Sequence, residues 1–296
     1  MQAPTVYIVT VSHNRRMSTR AFCESLCKQT YRQFVLILVD DGSTDGTCEM
    51  VQEFSFPAEI CHGNGNLWWA GGVRRGLSRL RALNPAPSDV VFIVNDDTTF
   101  DEGFLARAVE EIAHSGSGVM LCASVHFTDS KGYTDGGTVC SWHRLTFKHY
   151  GAHPERIDCA STRCIFFLIK DMAMAGTFRP GMLPHYLSDS EFTLRAHRHG
   201  MRLLPAKSVV CFATEHTTGN HYLEPGPLRT VVAQMMSPRF SANPASLFMF
   251  VYLAAPLLWR PVCWFWALRT ATGFLLKAAI TDRLQSYASR ERTVQN

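Results

Sequence analysis

The feature that most constrains the fold is an alternation between short apolar runs rich in β-branched residues and stretches with helical periodicity, from residue 5 to about 125. This alternation predicts βαβ units, and therefore an α/β protein with a mostly parallel sheet. In such a sheet, ligands bind beyond the carboxyl ends of the strands, so the residues that follow each run are candidates for a site. The runs are Val6 to Val11, Phe34 to Val39, Val90 to Val94 and Val119 to Val125.

Composition is that of an ordinary folded protein, with 46% hydrophobic and 18% charged residues in a chain of 296. The formal charge of +4 is small and the basic residues are scattered, which argues against a nucleic-acid partner. The ten cysteines include no Cys-x-x-Cys pair and mostly lie in apolar runs, and the N-terminus has no signal-peptide pattern. We therefore expect reduced thiols and a cytoplasmic protein.

Two of the apolar runs end in adjacent aspartates. Asp40–Thr47, with the sequence DDGSTDGT, predicts by itself a strand-to-helix turn in which Ser43 or Asp45 caps the next helix. In Asn95–Asp97, the adjacent carboxylates repel each other and need a compensating cation or hydrogen bonds. Oxygen ligands of this kind suit Mg²⁺ or Mn²⁺, and an exposed acidic turn is the alternative.

Beyond the alternating region the pattern loses its regularity. The segment 126–186 has no clean period and predicts loops and short strands. A helical stretch follows, opened by Asp189 and Glu191 and continuing through Arg195; acidic residues in a first helical turn also have a purely structural explanation, the helix dipole. His216 lies in a polar loop and gains interest only as a further ligand beside a carboxylate metal site.

The C-terminal part, 244–296, predicts a helical tail. Leu247–Trp259 is almost wholly apolar, and Arg260-Pro261 interrupts it too soon for a spanning helix, which needs about 20 apolar residues. A pair of interfacial helices fits this pattern, and packing against the rest of the chain or a second subunit is the alternative. The basic residues expected to reach lipid phosphates are Arg260, Arg269 and Lys277.

The order and spacing of these segments resemble the inverting family 2 glycosyltransferases with the GT-A fold. Val39–Thr47 is close to the family's motif after its second strand, and Asn95–Asp97 matches its D-x-D motif about fifty residues later. Ile8–Arg15 resembles the family's first strand and nucleotide loop, and Ser25–Thr30 resembles its S-L-x-x-Q-T helix end. The resemblance covers about residues 5 to 220.

This resemblance implies a Rossmann-like, mostly parallel mixed sheet flanked by helices and followed by the apolar helical tail. We expect a catalytic domain at 1–243 and the tail at 244–296. Within the catalytic domain, the nucleotide-sugar part would end at about residue 125 and the acceptor part would occupy about 126–243.

Roles for individual residues also follow from the resemblance. Asp189 would be the catalytic base, at the second acidic position of the family's G-E-D-x-D-x-x-L-R segment, where Ser188 replaces the usual Glu. Asp97 and His216 would bind the divalent metal, Mg²⁺ or Mn²⁺, and Asp41 would hydrogen-bond the donor's base. The residues assigned to the nucleotide-sugar are Ser12, His13, Asn14, Arg15, Asp41, Asn66, Trp69, Gly71, Asn95 and Asp96, with Glu191 and Arg195 in support.

The implied function is transfer of a sugar, with inversion, from a UDP- or dTDP-sugar to a saccharide or lipid-linked saccharide. The setting would be bacterial surface polysaccharide of O-antigen or capsule type, where some relatives are rhamnosyltransferases. The protein would be cytoplasmic, with peripheral inner-membrane contact through the tail. Two alternatives stay open: an inactive scaffold for assembly partners, and a nucleotidyltransferase. A nucleotidyltransferase would need a glycine-rich basic phosphate loop after the first strand, and Ser12–Arg15 does not supply one.

Overall fold

The computed structural model describes residues 3–128, 134–149, 157–213, 223–224 and 227–294, and the chain divides into two compact units. The functional division expected at residue 243 stays a prediction, because compactness does not tell which part carries an activity. Unit 1 comprises Met1–Cys140, Phe147–Pro184 and Ser188–Thr217, and unit 2 comprises Ser141–Thr146, His185–Leu187 and Thr218–Asn296.

Unit 1 is built on a mixed sheet that has nine strands within the described residues. These are β1 (Val6–Ser12), β2 (Phe34–Asp40), β3 (Ala58–His62), β4 (Val90–Val94), β5 (Thr98–Thr99), β6 (Val119–Phe127), β7 (Thr134–Asp135), β10 (Cys164–Leu168) and β11 (Arg202–Ala213). A separate hairpin pairs β8 (Thr138–Ser141) with β9 (Thr146–His149).

The strand order is β3-β2-β1-β4-β10-β6-β11-β5, with β7 beside β6. Strands β1 to β4 are parallel, β10 runs antiparallel between β4 and β6, and β11 is parallel to β6. The predicted fold class, a mostly parallel mixed sheet flanked by helices, is confirmed.

Helices cover both faces of this sheet because successive strand residues point to opposite sides. Ile8 packs in a core with side chains of the helices Arg16–Cys27 and Phe104–Ser115, whereas Val9 packs in a second core with those of Trp68–Ala82 and Ser188–Arg198. The helices are α1 (Arg16–Cys27), α2 (Thr47–Gln52), α3 (Trp68–Ala82), α4 (Phe104–Ser115), α5 (Met172–Ala175), α6 (Ser188–Arg198), α7 (Leu228–Met236), α8 (Pro244–Ala254) and α9 (Arg260–Val294).

Strand β10, like the two-residue β7, lies in the segment that the sequence analysis predicts to be loops and short strands. All five of its residues are buried, and Phe166 stacks on Phe92 of β4 with ring centroids 4.1 Å apart. A short run that is apolar throughout has no alternation by which periodicity can identify a strand. Because β10 is antiparallel, the residues before it meet the carboxyl end of β4, where the Asn95 amide donates to the Arg163 carbonyl at 3.1 Å.

Unit 2 contains α7, α8 and α9. The tail forms two helices in this region: α8 ends at Ala254, and α9 begins at Arg260, so that Arg260-Pro261 opens the second helix. Pro261 lies in the first turn of α9, where a missing amide N–H removes no helix hydrogen bond. In the described part of the chain, no helix combines the length and the apolar character that crossing a bilayer requires.

Candidate active site

The adjacent carboxylates at the end of β4 are compensated by a side chain from the neighbouring strand's exit. Asp96 and Asp97 are 1% and 9% exposed, and Arg15 follows β1, which pairs with β4. The Arg15 guanidinium lies 3.1 Å from Asp96 Oδ1 through Nη1 and donates to Asp97 Oδ2 at 2.9 Å through Nη2. Thr19, one turn into α1, donates to Asp96 Oδ2 at 3.0 Å. The Arg15 guanidinium therefore compensates the charge of the adjacent carboxylates.

Burial dominates the electrostatics of this cluster. It raises the pKa of Asp96 to about 6, against the lowering effect of Arg15 and with a further raising effect from Asp97. Burial also lowers the pKa of Arg15, but the two carboxylates outweigh it, so the guanidinium is held protonated. With Asp96 ionised, two carboxylates face one guanidinium, and the remaining negative charge favours a second cation.

The aspartate at the end of β2 is satisfied by backbone instead. Asp41 Oδ1 accepts the Gly65 N–H at 2.8 Å, and Oδ2 accepts the N–H groups of Leu67 at 2.8 Å and Trp68 at 3.1 Å. A carboxylate offers about four acceptor positions, and three are used here. A Cβ at Gly63 would collide with this carboxylate, so glycine allows the loop to close around it. Asp41 therefore fixes the loop 63–68 that leads into α3.

The residues that follow β1 connect its end to the turn after β2. The Asp41 N–H donates to the Ser12 carbonyl at 2.8 Å, and His13 Nδ1 donates to the Asp41 carbonyl at 2.6 Å. Asn14, at a φ of 52°, accepts the Thr44 N–H at 2.8 Å on its Oδ1. These residues hold two strand exits together, and their predicted contacts with a nucleotide stay predictions.

Asp189 lies in the first turn of α6 and is half-buried. Its Oδ2 accepts the backbone N–H of Thr162 at 3.3 Å, and Thr162 Oγ1 accepts the Trp69 indole N–H at 3.0 Å. Thr162 precedes Arg163, whose carbonyl holds the amide of Asn95. The structure thus brings Asp189, Trp69 and the β4 exit together. Thr162 was missed by sequence reasoning, because it lies in the segment without a period.

Glu191 and Arg195 form a partly buried ion pair within α6. Glu191 is 3% exposed, and its Oε1 and Oε2 accept Arg195 Nε at 2.8 Å and Nη2 at 3.2 Å. Arg195 Nη2 also donates to the Thr177 carbonyl at 2.7 Å, and Arg179 Nη1 lies 3.6 Å from Glu191 Oε1. The pair holds the turn after α5 against α6, which is a positioning contact for the helix that carries Asp189.

Three predicted site residues remain. Gly71, in the first turn of α3, faces Leu67 and Pro180 so closely that an added Cβ would lie 3.3 Å and 3.6 Å from their Cβ atoms. Asn66 is exposed in the loop before α3. His216 lies outside the described residues.

A pocket of about 330 Å³ opens beside the acidic cluster. Asp97 and Thr99 form part of its wall, together with Met17 and Ala21 of α1 and Phe212 of β11. This volume falls at the lower end of the range of small-molecule sites, roughly 300–1,000 Å³. Asp97 therefore lies at the wall of this pocket, with its side chain only 2% exposed.

Comparison with known proteins supplies a family. No curated protein matches the chain. TarS of S. aureus has a TM-score of 0.60 at 14% identity, over 94% of this chain and 55% of that one. GalNAc-T7, crystallised with UDP, GalNAc and Mn²⁺, has a TM-score of 0.60 at 14% identity, over 84% and 48%.

The mannosyltransferase PcManGT from Pyrobaculum calidifontis, in complex with GDP-Man and Mn²⁺, has a TM-score of 0.57 at 18% identity, over 98% and 81%. The chain spans about half the length of the TarS and GalNAc-T7 chains. At these identities the three structures show a shared fold. The family model described as Glycosyl transferase family 2 matches residues 7–173, more than half of the sequence, and the chain therefore belongs to glycosyl transferase family 2.

Proposed function

We propose that this protein moves a sugar from a nucleotide-diphosphate sugar to an acceptor hydroxyl with inversion of the anomeric centre. Family membership supports glycosyl transfer rather than nucleotidyl transfer. The observation that carries the residue roles is the hydrogen-bonded path from Asp189 to Thr162, whose neighbour Arg163 holds the amide of Asn95. It puts a half-buried carboxylate beside the strand end that carries Asp96-Asp97.

The acidic cluster is suited to a divalent ion at the donor diphosphate. Asp97 reaches the pocket wall, and carboxylate and phosphate oxygens are the ligands that Mg²⁺ and Mn²⁺ prefer. Asp97 would hold the ion, with His216 as the second protein ligand that the family resemblance implies. The ion would stabilise charge on the leaving nucleotide diphosphate. The Mn²⁺ in the GalNAc-T7 and PcManGT complexes supports this proposal.

The donor we propose is a UDP- or dTDP-sugar. UDP in the GalNAc-T7 crystal and UDP-GlcNAc in a TarS crystal support a pyrimidine nucleotide. GDP-Man in PcManGT is a purine nucleotide, so the base of the donor has to be tested. Arg15 would serve the phosphates, a role supported by the position of its guanidinium between Asp96 and Asp97.

Asp189 is the proposed base. The Thr162 N–H and the Ser188 hydroxyl, 3.4 Å from Asp189 Oδ1, hold its carboxylate in one orientation. It would take the proton from the acceptor hydroxyl as that oxygen attacks the anomeric carbon opposite the leaving diphosphate, and one such displacement inverts the centre. General-base assistance of this kind contributes about 10²–10⁴-fold.

The proposed acceptor is a lipid-linked saccharide of bacterial surface-polysaccharide synthesis, reached by peripheral contact with an anionic bilayer. Five exposed apolar residues of α9, from Val262 to Ile280, fall on one stripe at helical spacing, and Arg269 lies within that stripe. Confinement to a surface would raise the local acceptor concentration. Large exposed apolar side chains in unit 2 include Leu257, Leu258, Phe265, Leu268, Leu276 and Ile280.

A donor screen followed by product analysis tests the proposal. We expect a UDP- or dTDP-sugar to raise the Tm in the presence of Mn²⁺. Incubation with a saccharide acceptor should then give a product whose anomeric proton coupling in NMR shows the configuration opposite to that of the donor. A product that retains the donor's configuration would contradict the single-displacement mechanism and the role of Asp189 as base.

A further inference from the structure

A second group of metal-ligand side chains lies two strands away from the Asp96-Asp97 cluster. Asp40 ends β2 and His62 ends β3, and the two residues are direct neighbours in the parallel register. Cys48 lies in the first turn of α2, which follows β2. One ligand atom from each of the three residues lies within 4.8 Å of the others, and Cys48 Sγ is 3.9 Å from His62 Nδ1.

The surroundings of this cluster are negative. The carboxylates of Asp40, Asp45 and Glu49 place negative charge around the Cys48 sulfur. A divalent ion bound there would compensate that charge, and a coordinated thiol is deprotonated.

We propose that Asp40, Cys48 and His62 bind a zinc ion, with water as the fourth ligand. A thiolate, an imidazole and a carboxylate form a ligand set that favours Zn²⁺ over the oxygen-seeking Mg²⁺ and Mn²⁺. In a tetrahedral site with Zn–S of about 2.3 Å and Zn–N of about 2.0–2.1 Å, sulfur and nitrogen are about 3.6 Å apart. The observed 3.9 Å needs only a small closure. Binding releases the Cys48 proton to solvent as the Zn–S bond forms.

The position of the site gives it a structural consequence. His62 immediately precedes the loop 63–68, which surrounds the Asp41 carboxylate, and Cys48 belongs to the helix that follows the turn after β2. Zinc would therefore tie the β2–α2 connection to the end of β3. This inference goes beyond the proposed glycosyl transfer, whose ion is assigned to Asp97.

Zinc titration of the full-length protein tests the site. Protein treated with EDTA and then freed of it would be titrated with Zn²⁺ against a chromophoric chelator. We expect one site, weakened more than about 100-fold in Cys48→Ser and in His62→Ala, because loss of outer-shell partners alone costs 10–100-fold. Cys27→Ser is the matched control, since Cys27 is a half-buried thiol on another helix, and it should bind zinc like the parent.

Cobalt gives an independent readout. Co²⁺ added to the parent should give a thiolate-to-cobalt charge-transfer band that Cys48→Ser lacks and that Asp97→Ala keeps. Retention in Asp97→Ala separates this site from the proposed catalytic ion. Zinc binding by Cys48→Ser and His62→Ala that equals the parent's, or a parent that binds no zinc, would overturn the inference; because His62 is exposed, its variant tests the site without disturbing the core.

Discussion

Two aspartate pairs end parallel strands of the same sheet, and the protein satisfies them in different ways. At the end of β2, Asp41 accepts three backbone N–H groups of the loop 63–68. At the end of β4, Asp96-Asp97 is bridged by the side chain of Arg15. Backbone amides cannot leave without moving the loop, whereas a guanidinium on a flexible side chain can exchange partners. Asp41 thus anchors a loop at one strand end, whereas Asp97 is the residue that we propose as a metal ligand at the other.

The largest effect is expected from Asp97→Ala. Transfer should fall by about 10³-fold or more, because the ion would lose a principal ligand. The free energy of unfolding should stay close to that of the parent, since Arg15 keeps Asp96 and a like-charge repulsion disappears. Steady-state kinetics and urea unfolding measure the two quantities. A variant that is fully active would remove Asp97 from the proposed site.

Asp189→Asn should lower kcat by about 10²-fold or more while donor affinity stays unchanged, because only the proton acceptor is lost. Single-turnover kinetics and donor titration separate the two effects. Asp101→Asn is the control, since Asp101 is an exposed carboxylate paired with Arg107. An activity loss that is explained wholly by weaker donor binding would assign the base to another residue.

Asp41→Ala tests the other strand end, where we expect a loss of stability. Three N–H groups would lose a charged acceptor, so the free energy of unfolding should fall by about 3 kcal/mol. Urea unfolding and steady-state kinetics of Asp41→Ala and Asp97→Ala give the direct contrast. Asp41→Ala should lose stability, and Asp97→Ala should lose activity. If Asp41→Ala is as stable as the parent but no longer binds donor, Asp41 is a nucleotide ligand rather than a loop anchor.

Smaller effects are expected in unit 2. Leu258→Glu and Phe265→Glu should each weaken binding to anionic liposomes by about 10-fold or more, because a buried Leu or Phe contributes about 1.5–3 kcal/mol. Donor affinity should not change. Both side chains are exposed, at 90% and 60%, so the substitutions spare the core. Co-sedimentation at low and high salt measures the effect, and parent protein that ignores liposomes at low salt would contradict the membrane proposal.

Point variants are preferable to deletion of 244–296 for this purpose. In unit 2, Val231 and Met235 of α7 pack in one cluster with Ala271 and Ala278 of α9. Deletion would expose these apolar residues of α7. Loss of liposome binding by a truncated chain would then mix loss of contact with loss of structure.

Three of the strand exits could be predicted from sequence because the apolar run before them ends abruptly in polar residues, as at Val94–Asn95. What could not be predicted depends on pairing between distant segments. Thr162 meets Asp189 only because β10 runs antiparallel to β4, and a run such as CIFFL does not reveal that direction. Arg15 was predicted as a site residue from the family resemblance, but its pairing with Asp96 and Asp97 was not. It immediately precedes α1, one turn before Thr19, and both residues contact Asp96.

The central claim is that the β4 aspartates bind the donor through an exchangeable cation. Calorimetric titration with UDP and with dTDP, in Mn²⁺ and in EDTA, tests it most directly. We predict that one of the two nucleotides binds the parent in Mn²⁺, that EDTA abolishes this binding, and that Asp97→Ala in Mn²⁺ behaves like the parent in EDTA. Equal affinity in Mn²⁺ and in EDTA, or undiminished Mn²⁺-dependent binding by Asp97→Ala, would contradict the account.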